Sequence, residues 1–259
     1  VLEGKRVLVT GVATTDSIAH AAARRCQELG AEVLLAAFPR DLPAATEAAA
    51  GLPKPPVGIV AADLTSEDDV EALRSAVVDT WGQLDGALHA VAFAPKDALA
   101  GDMTTTPADS VDLAFRTSVW TYAALARVVA ATAPRRGASL VGLDFDAARS
   151  WPTYNWMGPC KAALESLNRY LARDLGGRGV RCNLVAAGPI HTRAADAIPR
   201  FDLLLRTWAE SAPLAWDQHD PEPTADAVCF LFSDLARAVT GEILHVDGGH
   251  HAMAAPLPR

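Results

Sequence analysis

The run Arg6-Val7-Leu8-Val9-Thr10-Gly11-Val12-Ala13-Thr14-Thr15-Asp16-Ser17-Ile18 decides how this chain is read. A short apolar, β-branched stretch ends at Gly11, and a helical pattern begins at once from Ser17. Glycine at a strand end permits a tight turn, and free N–H groups at the helix start then face outward as an anion site. Only Gly11 stands where a G-x-G-x-x-G spacing would place three glycines. Two readings therefore stay open, a phosphate-binding loop and a plain strand-turn-helix.

Outward from this unit the rhythm repeats. Short apolar runs at Glu32–Ala37, Val57–Ala62, Leu84–Ala92, Ala138–Leu143, Val180–Ala187 and Glu242–Val246 read as strands, and helical patterns fall at about 17–30, 66–82, 107–133, 153–177 and 223–235. Such alternation implies an α/β fold: a doubly wound, seven-stranded parallel sheet with helices on both faces. No linker or internal repeat interrupts it, so one domain over residues 1–259 is expected. The proline- and alanine-rich stretch Phe38–Pro56 reads as a short helix with surface turns. Residues His191–Trp216 form an insertion with Ile198, Phe201, Leu204, Leu205 and Trp208 at helical spacing. It is placed either to cover a ligand crevice beyond the strand ends or to lie as an ordinary half-buried surface helix.

Composition narrows the function. Of 259 residues 50% are apolar and 21% charged, which supplies a large core and argues against disorder. With 31 acidic against 23 basic side chains, a net charge of −8 and no Lys/Arg stripe, nucleic acid is a poor partner. No charge-free run approaches the ~18 apolar residues of a membrane span, and Val1–Gly11 leads straight into a strand, so a cytoplasmic location is expected. Cys26, Cys160, Cys182 and Cys229 are scattered without a C-x-x-C pair, which fits reduced buried thiols and no metal site.

The second strand ends Ala36-Ala37-Phe38-Pro39-Arg40, without the Asp or Glu that would meet a ribose 2′-hydroxyl. Phe38 is placed to flank an adenine ring and Asp63, ending the third strand, to accept from its amine. Arg40 reads either as a partner for a 2′-phosphate or as a surface cation. The strongest local feature is Tyr154-Asn155-Trp156-Met157-Gly158-Pro159-Cys160-Lys161. Seven helical residues advance by ~700°, so a helix over 153–177 puts Tyr154 and Lys161 on one face about 10 Å apart. An ammonium near a phenol lowers its pKa and grips ribose hydroxyls, leaving the phenol to donate to an oxyanion. A core tyrosine beside a solvated lysine is the other reading.

Gly11–Ile18, Asp63, the run Leu88-His89-Ala90-Val91-Ala92-Phe93-Ala94-Pro95, Asp144-Phe145, Tyr154 with Lys161, Ala187-Gly188-Pro189-Ile190 and Val246-Asp247-Gly248-Gly249 follow one another in order. Together they resemble the enoyl-acyl-carrier-protein reductases of the bacterial FabI type, a branch of the short-chain dehydrogenase/reductase superfamily with a Rossmann-type sheet. The similarity runs from about Leu2 to Gly249, and Asp144-Phe145 with Tyr-Asn-Trp-Met looks most like actinobacterial members. Ordinary ketoreductases carry Tyr-x-x-x-Lys and a serine about thirteen residues before the tyrosine. Here that position is Val141 and the lysine stands at +7, as suits an enzyme whose tyrosine only stabilises an enolate.

The resemblance implies NADH-dependent reduction of an enoyl thioester, with Tyr154, Lys161 and Phe145 as catalytic residues. Gly11, Ser17 and Ile18 would cradle the pyrophosphate, and Phe38, Asp63 and Leu64 would frame the adenine. Ala90 and Ala92 would meet the cofactor, Lys161 the nicotinamide ribose and Ile190 the carboxamide. Phe38, with no second basic residue beside Arg40, favours NADH over NADPH. An acyl-carrier protein would dock on Arg193, Arg200 and Arg206, unless these are simply solvated. A homotetramer is implied, packed through helices 107–133 and 153–177 about one twofold and the C-terminal strand region about another. The insertion would admit medium to long acyl chains.

Ala90 and Ala92 replace the family's usual serine and glycine, His191 replaces an arginine, and Pro159 is expected to kink a helix interior. These departures motivate an alternative, a specialised biosynthetic reductase of a non-standard enone or ketone. A nucleotide-binding protein without turnover is the third reading. The tail His250–Arg259 yields none.

Overall fold

In the computed structural model, which describes residues 1–193 and 195–255, strands form at Arg6–Thr10 (β1), Glu32–Ala37 (β2), Gly58–Ala61 (β3), Gly86–His89 (β4), Ala138–Asp144 (β5), Val180–Ala187 (β6) and Ile243–Val246 (β7). They make one sheet of seven parallel strands in the order β3-β2-β1-β4-β5-β6-β7. The α-helices are α1 (Ile18–Glu28), α2 (Leu42–Ala49), α3 (Glu67–Trp81), α4 (Lys96–Leu99), α5 (Ala108–Phe115), α6 (Thr121–Thr132), α7 (Met157–Gly176), α8 (Phe201–Ser211) and α9 (Glu222–Phe232).

Strand side chains alternate between two buried layers, which is why the strands read as continuous apolar runs. Val7, Val9, Val33 and Leu35 pack with Ala22, Ala23 and Cys26 of α1 and Val228 and Cys229 of α9. Leu8, Leu34, Ala87 and Leu140 face the other way, onto Leu73 and Val77 of α3, Leu125 and Val129 of α6 and Leu164 of α7. A third apolar cluster, around Phe145, Tyr154 and Trp208, lies beyond the carboxyl ends of the strands. Chain order reverses between β1 and β4, and the crevice at such a switch point is where ligands bind in open α/β sheets.

Most boundaries shift by a residue or two from the sequence reading, and three differences bear on the site. The run expected as strand through Ala92 leaves the sheet after His89, because Ala90 N donates to the Thr10 side chain and Phe93 N to that of Ser118 instead of to backbone carbonyls of a neighbouring strand. The helix expected over 107–133 is divided into α5 and α6 by a π-turn at Arg116–Trp120, a feature frequent at functional sites. Helix α7 starts at Met157, not 153. Pro159 has no N–H to give Asn155, so it occupies the first turn, where the missing donor costs nothing, and it kinks no helix interior.

All four cysteines are buried free thiols. Among the described residues no helix is long and apolar enough to cross a membrane.

Candidate active site

A cleft of about 540 Å³ opens over the switch point, and Gly11, Phe38, Asp63, Leu64, Ala90 and Ala92 all line it. Gly11 sits at φ +80°, and a Cβ there would fall 2.1 Å from the carbonyl oxygen of Ala90. No other residue lets the β1 turn pass this close to the end of β4. Ser17 caps α1: its Oγ accepts from His20 N at 3.1 Å and donates to Thr14 O at 2.7 Å, and Ile18 opens the helix. Neither residue lines the cleft, but the amino end of α1 lies just beyond the Gly11 turn, which does.

At the outer end, the exposed Phe38 ring carries the Arg40 guanidinium 5.1 Å from its centroid. Asp63 Oδ1 accepts from Thr65 N and Thr65 Oγ1, which fixes the carboxylate at the cleft wall. A residue missed in the sequence, Asp41, also lines this end. It lies 3.8 Å from Arg40 Nε and 3.7 Å from Arg193 of the insertion, so a second basic residue does approach Arg40. The fold brings Arg193 there across sequence, and no local pattern shows it.

Beyond the cleft's inner end lie the residues expected to be catalytic. Tyr154 precedes α7, between Thr153 at φ +68° and Asn155 at φ +40°, so it shares no helical face with Lys161. Its carbonyl accepts from Met157 N, and its ring lies 5.0 Å from that of Phe145 at 47°. Burial and the charge of Asp144 push the phenol above its ordinary pKa. The expected lowering by Lys161 does not occur, and the buried hydroxyl stays protonated as a donor. Lys161 is itself buried, and its Nζ donates to Leu143 O at 2.8 Å. Burial lowers its pKa, while Asp144 pulls it back up.

Two buried groups nearby were not singled out as chemistry. Asp144 is pushed up to about 7 by burial, against the opposing charge of Lys161, and both its oxygens lack a hydrogen-bond partner among the described residues. His89 is held down at about 3 by burial and stays neutral. Thr121 Oγ1 donates to Thr117 O, so His89 Nε2 must carry the proton it shares with Thr121 at 2.8 Å.

Ile190 is buried just past β6 and does not line the cleft. The insertion forms α8, with Leu204 and Trp208 buried and Ile198 and Phe201 partly so. Trp208 packs against Phe145 and Trp151, and His250 of the tail stacks on it.

The sequence profile of the family described as enoyl-(acyl carrier protein) reductase matches residues 11–251. An enoyl-acyl-carrier-protein reductase (NADH) of Mycolicibacterium smegmatis is 40% identical over 96% of this chain and 96% of its own. The corresponding FabI proteins of Aquifex aeolicus and Bacillus subtilis are each 37% identical, over 97% and 98% of this chain and 93% and 98% of theirs. With its parallel sheet, its cleft at the β1/β4 switch point and this agreement along nearly its whole length, the chain belongs to the enoyl-acyl-carrier-protein reductase family.

Proposed function

We propose that this chain reduces the trans-2 double bond of an enoyl thioester with NADH, acting as one catalytic unit over residues 1–259 with 191–216 as its substrate-side insertion. The observation that carries the reading is the buried, protonated Tyr154 against Phe145, beyond the inner end of a cleft that suits a dinucleotide. The cleft fits such a group: the Gly11 turn leaves the amino end of α1 to a pyrophosphate, Phe38 offers a flat face to adenine, and Asp63 a fixed acceptor. NADH, when bound, would supply the hydride to the β-carbon, and a proton from solvent would complete the reduction at the α-carbon. Tyr154 donates its hydroxyl proton in a hydrogen bond to the thioester oxygen as that oxygen gains charge. Phe145 flanks the reacting carbons, Lys161 holds the ribose hydroxyls, and Ile190 meets the carboxamide through its backbone. Ketone reduction has less support, because Val141 is buried inside β5 and offers no hydroxyl.

The family resemblance and the exposed Phe115, Trp120 and Tyr170 on the faces of α5 to α7 support a homotetramer. An acidic carrier protein would approach Arg200 at the start of α8; Arg193 is engaged by Asp41 and Arg206 by Asp202. Four unpaired buried thiols fit a reducing, cytoplasmic compartment. Oxidation of NADH by crotonyl- or dodecenoyl-coenzyme A tests the activity, and light scattering after size exclusion tests the assembly.

A further inference from the structure

The acyl chain of an enoyl thioester has to run outward from Phe145 and Tyr154, and there the structure holds a pile of large planar side chains. The Trp208 ring centroid lies 5.4 Å from Phe145 and 5.0 Å from Trp151, and His250 covers Trp208 at 3.9 Å and 26°. Trp151 meets Phe145 at 5.3 Å and His250 at 5.6 Å, so the four rings close on one another.

Three of the four rings are braced from outside the pile. Ser211 Oγ gives its proton to Thr207 O, so His250 Nδ1–H donates to Ser211 Oγ at 2.6 Å. Trp151 Nε1 donates to the carbonyl of Asp146. Trp208 rests on Gly188, where a Cβ would stand 2.8 Å from the indole nitrogen. Lifting Trp208 breaks ring contacts on both its faces.

Resting on the enoyl-thioester reading above, we propose that Trp151, Trp208 and His250 form the end wall of the acyl pocket and restrict the enzyme to short trans-2-enoyl thioesters, of crotonyl or hexenoyl size. The medium to long chain expected from the length of the insertion meets these rings before it is buried.

The test compares crotonyl-, hexenoyl-, octenoyl- and dodecenoyl-coenzyme A with NADH, using wild type, Trp208→Leu and Trp151→Leu. In wild type, kcat/KM is expected to fall by ~10-fold or more from hexenoyl to dodecenoyl. Either leucine variant is expected to raise the ratio of dodecenoyl to crotonyl kcat/KM by a similar factor, mainly through KM for the longer chain. Trp151 lies outside the helices, so its variant carries the test if Trp208→Leu fails to fold. Wild type that uses dodecenoyl as well as crotonyl overturns the wall, as does an unchanged length preference in the folded variants. Absence of turnover at every length overturns the reductase reading and the wall with it.

Discussion

The ammonium of Lys161 donates to the carbonyl of Leu143 at 2.8 Å, which fixes it at the end of β5, two residues before Phe145. In the proposed reading its remaining donors serve the nicotinamide ribose. Lys161→Ala is expected to weaken NADH binding by at least about tenfold, the worth of charge-assisted hydrogen bonds, as measured by calorimetry. Retained affinity in a folded variant would contradict the ribose role.

The proposed role of Tyr154 makes a different prediction, because a hydrogen bond to the thioester oxygen would strengthen only as charge develops. Tyr154→Phe is expected to lower kcat by ~10²-fold or more while NADH affinity stays unchanged. Parallel loss of both would mean that the phenol holds the fold or the cofactor instead.

The sheet was legible because each strand is buried on both faces and so reads as an unbroken apolar run; β1, β2 and β6 have the predicted bounds. Gly11, Phe38, Asp63, Leu64, Ala90 and Ala92 meet in one cleft because a parallel sheet aligns its strand ends there. The Tyr154 backbone was not legible, since spacing alone carries a helix through Thr153 and Asn155 while Pro159 in fact sets its start. Asp41 with Arg193, and His250 on Trp208, join residues far apart in sequence, where no period or motif marks the pairing.

Asp144 makes a pH signature. In the unfolded chain its carboxyl titrates near its ordinary 3.8, and in the folded protein near 7, so between these values the native state holds the extra proton. Its contribution to stability is present below the lower value and is lost as pH rises through the upper one. Asp144→Asn removes that loss. The difference in Tm between Asp144→Asn and wild type should therefore grow in the variant's favour from about pH 4 to about pH 7, and a difference constant across this range would contradict a carboxyl raised by burial.

Asp41 sits between two guanidiniums at the Phe38 end of the cleft, 3.8 Å from Arg40 and 3.7 Å from Arg193. Its charge repels a 2′-phosphate and occupies both cations. Asp41→Asn is expected to raise kcat/KM for NADPH relative to NADH by about tenfold, since it frees two charged donors. An unchanged ratio would show that Phe38 and the cleft shape alone set the preference.

The most direct measurement of the central claim follows NADH oxidation by purified protein with crotonyl-coenzyme A, beside Tyr154→Phe. Steady turnover that is largely lost in Tyr154→Phe, with NADH still bound by both proteins, is the predicted result. Folded protein that binds NADH yet reduces neither crotonyl nor any longer enoyl thioester would contradict it.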